Sequence, residues 1–119
     1  THMIGHELTA LHGIDHARTL AIVAPNLFTV KFENKKDKLI QYGQRVFGLD
    51  GSCGEEAIHR TKTFFESLGI DTSISDYAKD TDNTAEIIKE RFEERGWDAI
   101  GERGDLTPAE AKKIVEMSI

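Results

Sequence analysis

The chain has 119 residues, 39% of them hydrophobic and 30% charged, which is typical of one globular domain. Its formal net charge of −6 argues against a nucleic-acid-binding surface, because phosphate recognition needs a basic face. No apolar run approaches the roughly 20 residues that a membrane span needs, and the single cysteine, Cys53, allows no internal disulfide. We therefore expect a cytoplasmic protein without nucleic-acid or membrane partners, in which Cys53 is an ordinary loop residue.

Two short amphipathic helices are predicted near the start of the chain. Good helix formers carry apolar residues on one side over residues 7–11 and again over residues 17–23. Gly13 ends the first helix, and Asp15 is placed to cap the second. Proline lacks the N–H that an interior helix position needs, so Pro25 indicates a kink or a new helical start.

Two further helices are predicted in the middle of the chain. Residues 34–37 suit an exposed connection or a first turn, and a helix is predicted over residues 38–47. The clearest amphipathic helix covers residues 55–68, with Gly69 in the position of a left-handed cap. The residues expected on the two apolar faces are Leu39, Tyr42, Val46 and Phe47 in the first helix, and Ala57, Ile58, Thr61, Phe64, Phe65 and Leu68 in the second.

The last part of the chain is predicted to hold a loop and two helices. Residues 70–82 lack a helical period and are rich in Asp, Ser and Thr, which favours an ordered loop. Asn83 or Thr84 can cap the next helix, and residues 107–110, Thr-Pro-Ala-Glu, form a capping box for the final one. The residues expected to face inward from the first of these helices are Ile87, Ile88, Phe92 and the stem of Arg91. Five or six helices without a convincing strand pair predict an all-α helical bundle.

The histidines are concentrated at one end of the chain. Four of the five lie in the first sixteen residues, at His2, His6, His12 and His16. On a helix, His2 and His6 stand one turn apart on one face, where two imidazoles can reach a single metal ion or ligand. The chain reversal expected at Gly13 brings His16 back toward them. Histidines with a carboxylate commonly hold a divalent transition metal, so this pattern indicates a metal site.

A simpler explanation of the same pattern stays open at this point. Solvated histidines near a chain end and chance pairs at helical spacing both occur without any bound ligand. His12 has a weaker claim to a site, and His59 lies in the charged run of a surface helix, which favours a solvated side chain.

Residues 1–23, THMIGHELTALHGIDHARTLAIV, resemble the metal-binding segment of the iron-containing (group III) alcohol dehydrogenases. The most similar branch is that of the bacterial NADPH-dependent aldehyde reductases and butanol dehydrogenases. The family pattern has a second histidine four residues after the first and a third ten residues later, which matches His2, His6 and His16, with Gly5 at the family's glycine. The similarity continues in order along the chain, through residues 38–46, 63–69, 75–77, 101–102 and 104–107.

This resemblance implies a fold and a set of roles. The fold is the helical C-terminal domain of dehydroquinate synthase-like proteins. In the family the metal, Fe²⁺ or Zn²⁺, is held by one Asp and three His, and two of these ligands match His2 and His16. His6 matches a histidine that lies beside the nicotinamide of NADPH or NADH and assists proton movement. Asp15 is a candidate to orient His16, or it acts only as the helix cap described above.

The resemblance also implies what lies outside this chain. Residues 1–119 correspond to a C-terminal metal-binding helical domain, and the family's N-terminal nucleotide-binding domain, with the other Asp and His ligands, is absent. The parent enzyme is expected to transfer hydride between NAD(P)H and a small alcohol or aldehyde, with the metal as a Lewis acid on the substrate oxygen. The chain by itself, with two of the four ligands, is expected to be inactive.

Two other functions stay open. A non-catalytic helical interaction module would self-associate as a homo-oligomer through apolar faces that the absent domain leaves uncovered. The residues expected on those faces are Leu20, Ile22, Val23 and Phe28. A free-standing histidine metal carrier is the third possibility.

Overall fold

The computed structural model of the chain describes residues 1–49, 54–78, 81–97, 104 and 106–119. The helices are α1 (His2–His12), α2 (His16–Val30), α3 (Phe32–Phe47), α4 (Gly54–Ser67), α5 (Thr84–Glu94) and α6 (Pro108–Met117), with a short 3-10 helix at Ile74–Asp76. The described residues form no β-strand, so the prediction of an all-α bundle is confirmed. Among the described helices, none combines the length and the apolar character that crossing a membrane requires.

A tight turn after α1 reverses the chain. Gly13 ends α1 in the left-handed conformation, with a φ of 67°, and its N–H donates to the carbonyl of Thr9 at 2.8 Å. The Thr9 hydroxyl donates to the carbonyl of Ile14 at 2.8 Å, which ties the turn back to the helix. α2 begins at His16 with Asp15 at the N-cap position, as predicted, although the Asp15 side chain makes no capping hydrogen bond. The turn therefore brings α1 and α2 side by side.

α2 continues through Pro25, so of the two possibilities predicted at this residue, a kink or a new helical start, the new start is wrong. The boundary lies at Lys31, where the backbone leaves helical geometry before α3 begins. A proline inside a helix removes the hydrogen bond to the carbonyl four residues earlier. Here Pro25 is buried, and the Asn26 side chain donates to the carbonyl of Ile22 at 3.2 Å and to the hydroxyl of Ser118 at 2.9 Å. Tertiary contacts therefore stabilise the helix where the proline weakens it.

The hydrophobic core lies around α2, which packs against α1, α3, α4 and α6, while α5 packs against α6 and α1. The residues without exposed surface include Ile4, Leu8, Ile22, Val23, Ile74, Ile88, Phe92, Ile114 and Val115. The expectation that Ile22 and Val23 lie on an uncovered face is therefore wrong, and Leu20 and Phe28 are half-buried. The physical reason is that α2 is the central helix, so its apolar residues are covered within this domain.

α3 and α4 pack against each other, but their predicted apolar faces are only partly covered. Residues 34–37 lie in the first turns of α3, which is one of the two predicted possibilities. The Tyr42 and Thr61 hydroxyls form a hydrogen bond of 2.7 Å between the two helices. Buried as predicted are Leu39, Ala57, Ile58 and Thr61. Three apolar side chains near the helix ends are more than half exposed, namely Val46 (61%), Phe64 (51%) and Leu68 (61%). The prediction that these three side chains belong to covered apolar faces is therefore wrong, because no other segment among the described residues packs over them.

The capping box predicted at the start of α6 is present. The Thr107 hydroxyl accepts from the N–H of Glu110 at 3.2 Å, and the Glu110 carboxylate accepts from the N–H of Thr107 at 3.2 Å. Pro108 takes the first helical position. At α5, Asn83 stands at the N-cap position, but its side chain makes no capping hydrogen bond. Other predicted positions lie outside the described residues, namely Cys53 and residues 101–103 and 105.

Replacing Thr107 by alanine is expected to lower the free energy of unfolding by about 1 kcal/mol, because the first turn of α6 loses its hydroxyl acceptor. Urea denaturation measures this change. The matched control is Thr63→Ala at an exposed position of α4, where alanine is the better helix former and no loss is expected. Equal losses in the two variants would contradict the capping role.

Candidate metal centre

Three of the five histidines converge where α1 and α2 begin. The ring centroids of His2 and His16 lie 5.5 Å apart, and those of His6 and His16 lie 5.6 Å apart. The His2 and His6 centroids are separated by 6.4 Å. All three side chains are exposed. The structure therefore brings together the three residues that the resemblance indicates, although they come from two helices.

The ring separation suits imidazoles that share one ion. A metal–nitrogen distance of about 2.1 Å places a ring centroid about 3.2 Å from the ion, so two rings at a tetrahedral angle have centroids about 5.2 Å apart. The observed distance between His2 and His16 is 5.5 Å. Among the described residues, however, no group of three His, Cys, Asp or Glu side chains is arranged to hold an ion by itself. The spacing of His2 and His16 is compatible with two positions of a metal ligand set.

A close contact between α1 and α2 sets the distance between these rings. Gly5 lies on α1 between His2 and His6, and a Cβ atom added to it would lie 2.7 Å from the Oγ1 atom of Thr19. Thr19 is fully buried, and its hydroxyl donates to the carbonyl of His16 at 2.6 Å. Because Gly5 has no side chain, the first turn of α2, which carries His16, can approach the turn of α1 that carries His2 and His6.

The other candidate residues have different surroundings. His12, at the end of α1, forms a hydrogen bond of 2.8 Å through Nε2 with the Thr84 hydroxyl, which joins α1 to the start of α5. His59 is exposed on α4, as predicted, and lines an open groove between α2, α3 and α4. Asp15 is exposed at the N-cap of α2. The structure gives His12 a contact that serves the fold, while the role of Asp15 in orienting His16 stays a prediction.

Glu7 lies directly after His6 and was not singled out by the sequence pattern. Its side chain is buried, and its carboxylate accepts hydrogen bonds from the guanidinium groups of Arg91, at 2.6 Å, and of Arg95. The Arg95 guanidinium also lies over the Trp97 ring, 4.9 Å from its centroid. These contacts connect α1 to Arg91 in the last turn of α5 and to Arg95, the C-cap residue that follows it.

The environment of Glu7 favours its ionised form. Burial acts to raise the pKa of the carboxyl, but the hydrogen bonds and charges of Arg91 and Arg95 outweigh burial and hold the pKa below its ordinary value. The sequence did contain a signal for this pairing. Glu7 falls between Ile4 and Leu8 on the apolar face of α1, where a carboxylate needs a buried or half-buried cationic partner.

The fold and the gathered histidines define an all-helical domain with a candidate metal site, and comparison with known proteins places it in a family. The model of the Fe-containing alcohol dehydrogenase family, C-terminal, matches residues 1–116. The chain belongs to this family, so the resemblance found in the sequence is confirmed.

Enzymes from bacteria and from an amoeba are similar in sequence to this chain. The chain is 46% identical over 120 residues to the NADPH-dependent aldehyde reductase YqhD of Escherichia coli (strain K12), which covers 98% of the chain and 31% of that protein. It is 40% identical over 92 residues to NADP-dependent alcohol dehydrogenase 3 of Entamoeba histolytica, covering 77% of the chain and 24% of that protein. It is 30% identical over 122 residues to NADH-dependent butanol dehydrogenase A of Clostridium acetobutylicum, covering 98% of the chain and 30% of that protein.

The fold is shared with a solved structure. The substrate- and cofactor-free form of the aldehyde reductase YqhD from E. coli matches with a TM-score of 0.89 and 42% identity, covering 99% of this chain and 32% of that chain. This chain therefore spans about a third of the length of the E. coli relative.

Proposed function

We propose that this chain supplies the helical, metal-binding part of an alcohol dehydrogenase or aldehyde reductase that transfers hydride between NADPH or NADH and an alcohol or aldehyde. In this proposal His2 and His16 are metal ligands, and His6 is the active-site histidine beside the nicotinamide. The remaining ligands and the nucleotide-binding domain correspond to the part of the relatives that this chain does not cover.

The observation that carries the proposal is the convergence of the three imidazole rings, with centroids 5.5, 5.6 and 6.4 Å apart. His2 and His16 belong to different helices, so their approach is a product of the fold and not of neighbouring positions on one helix. Neutral imidazole suits both iron and zinc. The relatives are named as NADPH-, NADP- and NADH-dependent enzymes, which supports a nicotinamide cofactor for the parent protein.

Each histidine has a separate task in this arrangement. His2 and His16 would hold Fe²⁺ or Zn²⁺ through one imidazole nitrogen each. The bound metal supplies Lewis-acid stabilisation of negative charge on the substrate oxygen. His6, one turn after His2 and exposed, can accept or donate a proton beside the substrate, because an imidazole carries both a donor and an acceptor nitrogen.

A chimera tests the proposal. Residues 1–119 replace the corresponding C-terminal part of the E. coli aldehyde reductase, and NADPH oxidation is measured with butanal after loading with Fe²⁺ or Zn²⁺. We expect turnover in the chimera, and we expect His2→Ala and His16→Ala each to lose metal and to lower kcat by more than about 100-fold. His6→Ala is expected to lower kcat while the metal content is retained.

The matched control is His59→Ala, which removes an exposed histidine of α4 and is expected to keep the activity of the parent chimera. Metal content and activity that survive both His2→Ala and His16→Ala would contradict the proposal. The 119-residue chain assayed alone is expected to show no turnover above that of the His2→Ala, His16→Ala double variant, because it contributes two of the four ligands.

The alternative function, a non-catalytic module that self-associates, is favoured by one specific observation. Val46 on α3, Phe64 on α4 and Leu68 directly after α4 are each more than half exposed, whereas the sequence had indicated residues of α2. Sedimentation over a wide range of protein concentrations tests this alternative. A dimer that Phe64→Ser weakens would support it, and a monomer at every concentration would refute it.

A further inference from the structure

We propose that Glu7 is a positioning residue, which holds α1 in the register at which His2 and His6 lie beside His16. This inference rests on the proposed function, in which His2 and His16 hold one metal ion and His6 acts beside the nicotinamide, so that the relative placement of the three rings matters. Glu7 is buried whereas His6 next to it is exposed, so the carboxylate acts through the helix and not as a ligand.

α1 is attached to the rest of the domain by two kinds of contact. Its apolar residues Ile4 and Leu8 are fully buried in the core. The hydrophobic effect is non-directional, so this packing favours burial without selecting one rotation of the helix as sharply as hydrogen bonds do. The directional contacts between α1 and α5 are made by Glu7 at the middle of α1 and by His12 at its end.

The charge of Glu7 is not explained by packing alone. Among the buried residues of the part of the chain that the structure describes, Glu7 is the only charged one. Burying a carboxylate is unfavourable unless it is paired, and an apolar residue of similar volume would fill the same space without that penalty. What the carboxylate adds is a directional contact that an apolar side chain lacks.

Two arginines give this contact its direction. Arg91 lies in the last turn of α5, Arg95 is the C-cap residue four positions later, and each guanidinium donates to a different oxygen of the Glu7 carboxylate. A contact at two points restrains both sliding and rotation of α1 relative to α5. Arg95 is itself held over the ring of Trp97, so this end of the contact is anchored.

The position of Glu7 makes the histidine cluster sensitive to this restraint. His2 and His6 lie on the same helix as Glu7, whereas His16 lies on α2. A rotation of α1 that moved Glu7 from the arginines would therefore move two rings relative to the third. A metal site tolerates displacements of only about 0.5 Å in its ligands, so such a rotation would weaken metal binding.

Titration of the 119-residue chain with Co²⁺ tests the inference, because the visible absorption of bound Co²⁺ reports ligand geometry. Glu7→Leu keeps the side-chain volume and removes the directional contact, while Glu7→Gln keeps an oxygen acceptor. We expect the Co²⁺ affinity to fall about 10- to 100-fold in Glu7→Leu, with a changed absorption band, and to fall less in Glu7→Gln. The control is Thr107→Ala, which weakens α6 and is expected to leave affinity and absorption unchanged.

A second measurement does not depend on a bound metal. Nuclear Overhauser effects between the ring protons of His16 and those of His2 and His6 are expected to weaken in Glu7→Leu and to persist in Thr107→Ala. Unchanged affinity, absorption and ring contacts in Glu7→Leu would overturn the positioning role. If the wild-type chain binds no Co²⁺ but its ring contacts still depend on Glu7, the metal-binding function proposed for the chain is overturned. The positioning role of Glu7 is then still supported.

Discussion

Valine in place of Gly5 is expected to lower the free energy of unfolding by about 1–3 kcal/mol, the usual effect of forcing extra atoms into a packed contact. Any Cβ at this position would lie 2.7 Å from the Thr19 hydroxyl oxygen and 3.3 Å from the Thr19 Cβ. Thr19 is fully buried, and a hydrogen bond to the carbonyl of His16 holds its hydroxyl in this position. α1 and α2 must therefore separate, and the rings of His2 and His6 would move away from His16.

Urea denaturation of Gly5→Val and of Ala10→Val isolates this contact. Ala10 is exposed on the same helix, so valine there adds a β-branched side chain without the clash, and we expect a loss below about 1 kcal/mol. Adding Thr19→Ala to Gly5→Val is expected to recover part of the loss, because the nearest atom is removed. Similar losses at positions 5 and 10 would show that this contact does not limit how closely the helices approach.

Acid is expected to remove a stabilisation that Glu7 provides at neutral pH. Burial acts to raise the pKa of the Glu7 carboxyl, but Arg91 and Arg95 hold it below its ordinary value in the folded protein. A folded-state pKa that is depressed means that the stabilisation is fully present above the unfolded-state pKa, which is about 4.3. It is lost as the pH falls through the lower folded-state pKa. We expect the contribution to be about 1–3 kcal/mol, in the range of hydrogen bonds to charged groups.

The measured quantity is the difference in free energy of unfolding between the wild type and Glu7→Gln, from urea denaturation across a pH series. The difference is expected to be constant from about pH 7 to about pH 5 and to narrow below about pH 4. Glu90→Gln changes an exposed glutamate of α5 and is expected to show almost no difference at any pH. A Glu7→Gln difference that stayed constant to about pH 3 would contradict the assigned pairing.

Several helix ends were predictable because their signals are local. The capping box of α6 and the reversal after α1 depend on hydrogen bonds between residues a few positions apart, which a short window of sequence contains. The bounds of α4 differ by one residue from the predicted helix at residues 55–68. For α2 the predicted N-cap residue, Asp15, is in the right position, but its side chain does not make the expected capping hydrogen bond.

The histidine cluster was predictable in part. The spacing of His2 and His6 places them one turn apart on any helix, and the turn at Gly13 returns the chain toward them. The contact that sets the distance to His16 was not predictable in this way. It depends on a missing side chain at Gly5 meeting a buried threonine on the next helix, and only the packing of α1 on α2 shows this.

By itself the sequence determined several helix ends, among them the end of α1, the start of α2 and both ends of α4 to within one residue. It also indicated that no strand was to be expected and that His2 and His6 lie one turn apart. Only the tertiary structure decided that Pro25 lies inside α2, that Phe64 and Leu68 are exposed, and that Glu7 pairs with Arg91, 84 positions away. The physical reason is how far apart along the chain the interacting residues lie. Helix bounds depend on hydrogen bonds between near neighbours, whereas burial and ion pairing depend on which distant segments pack together.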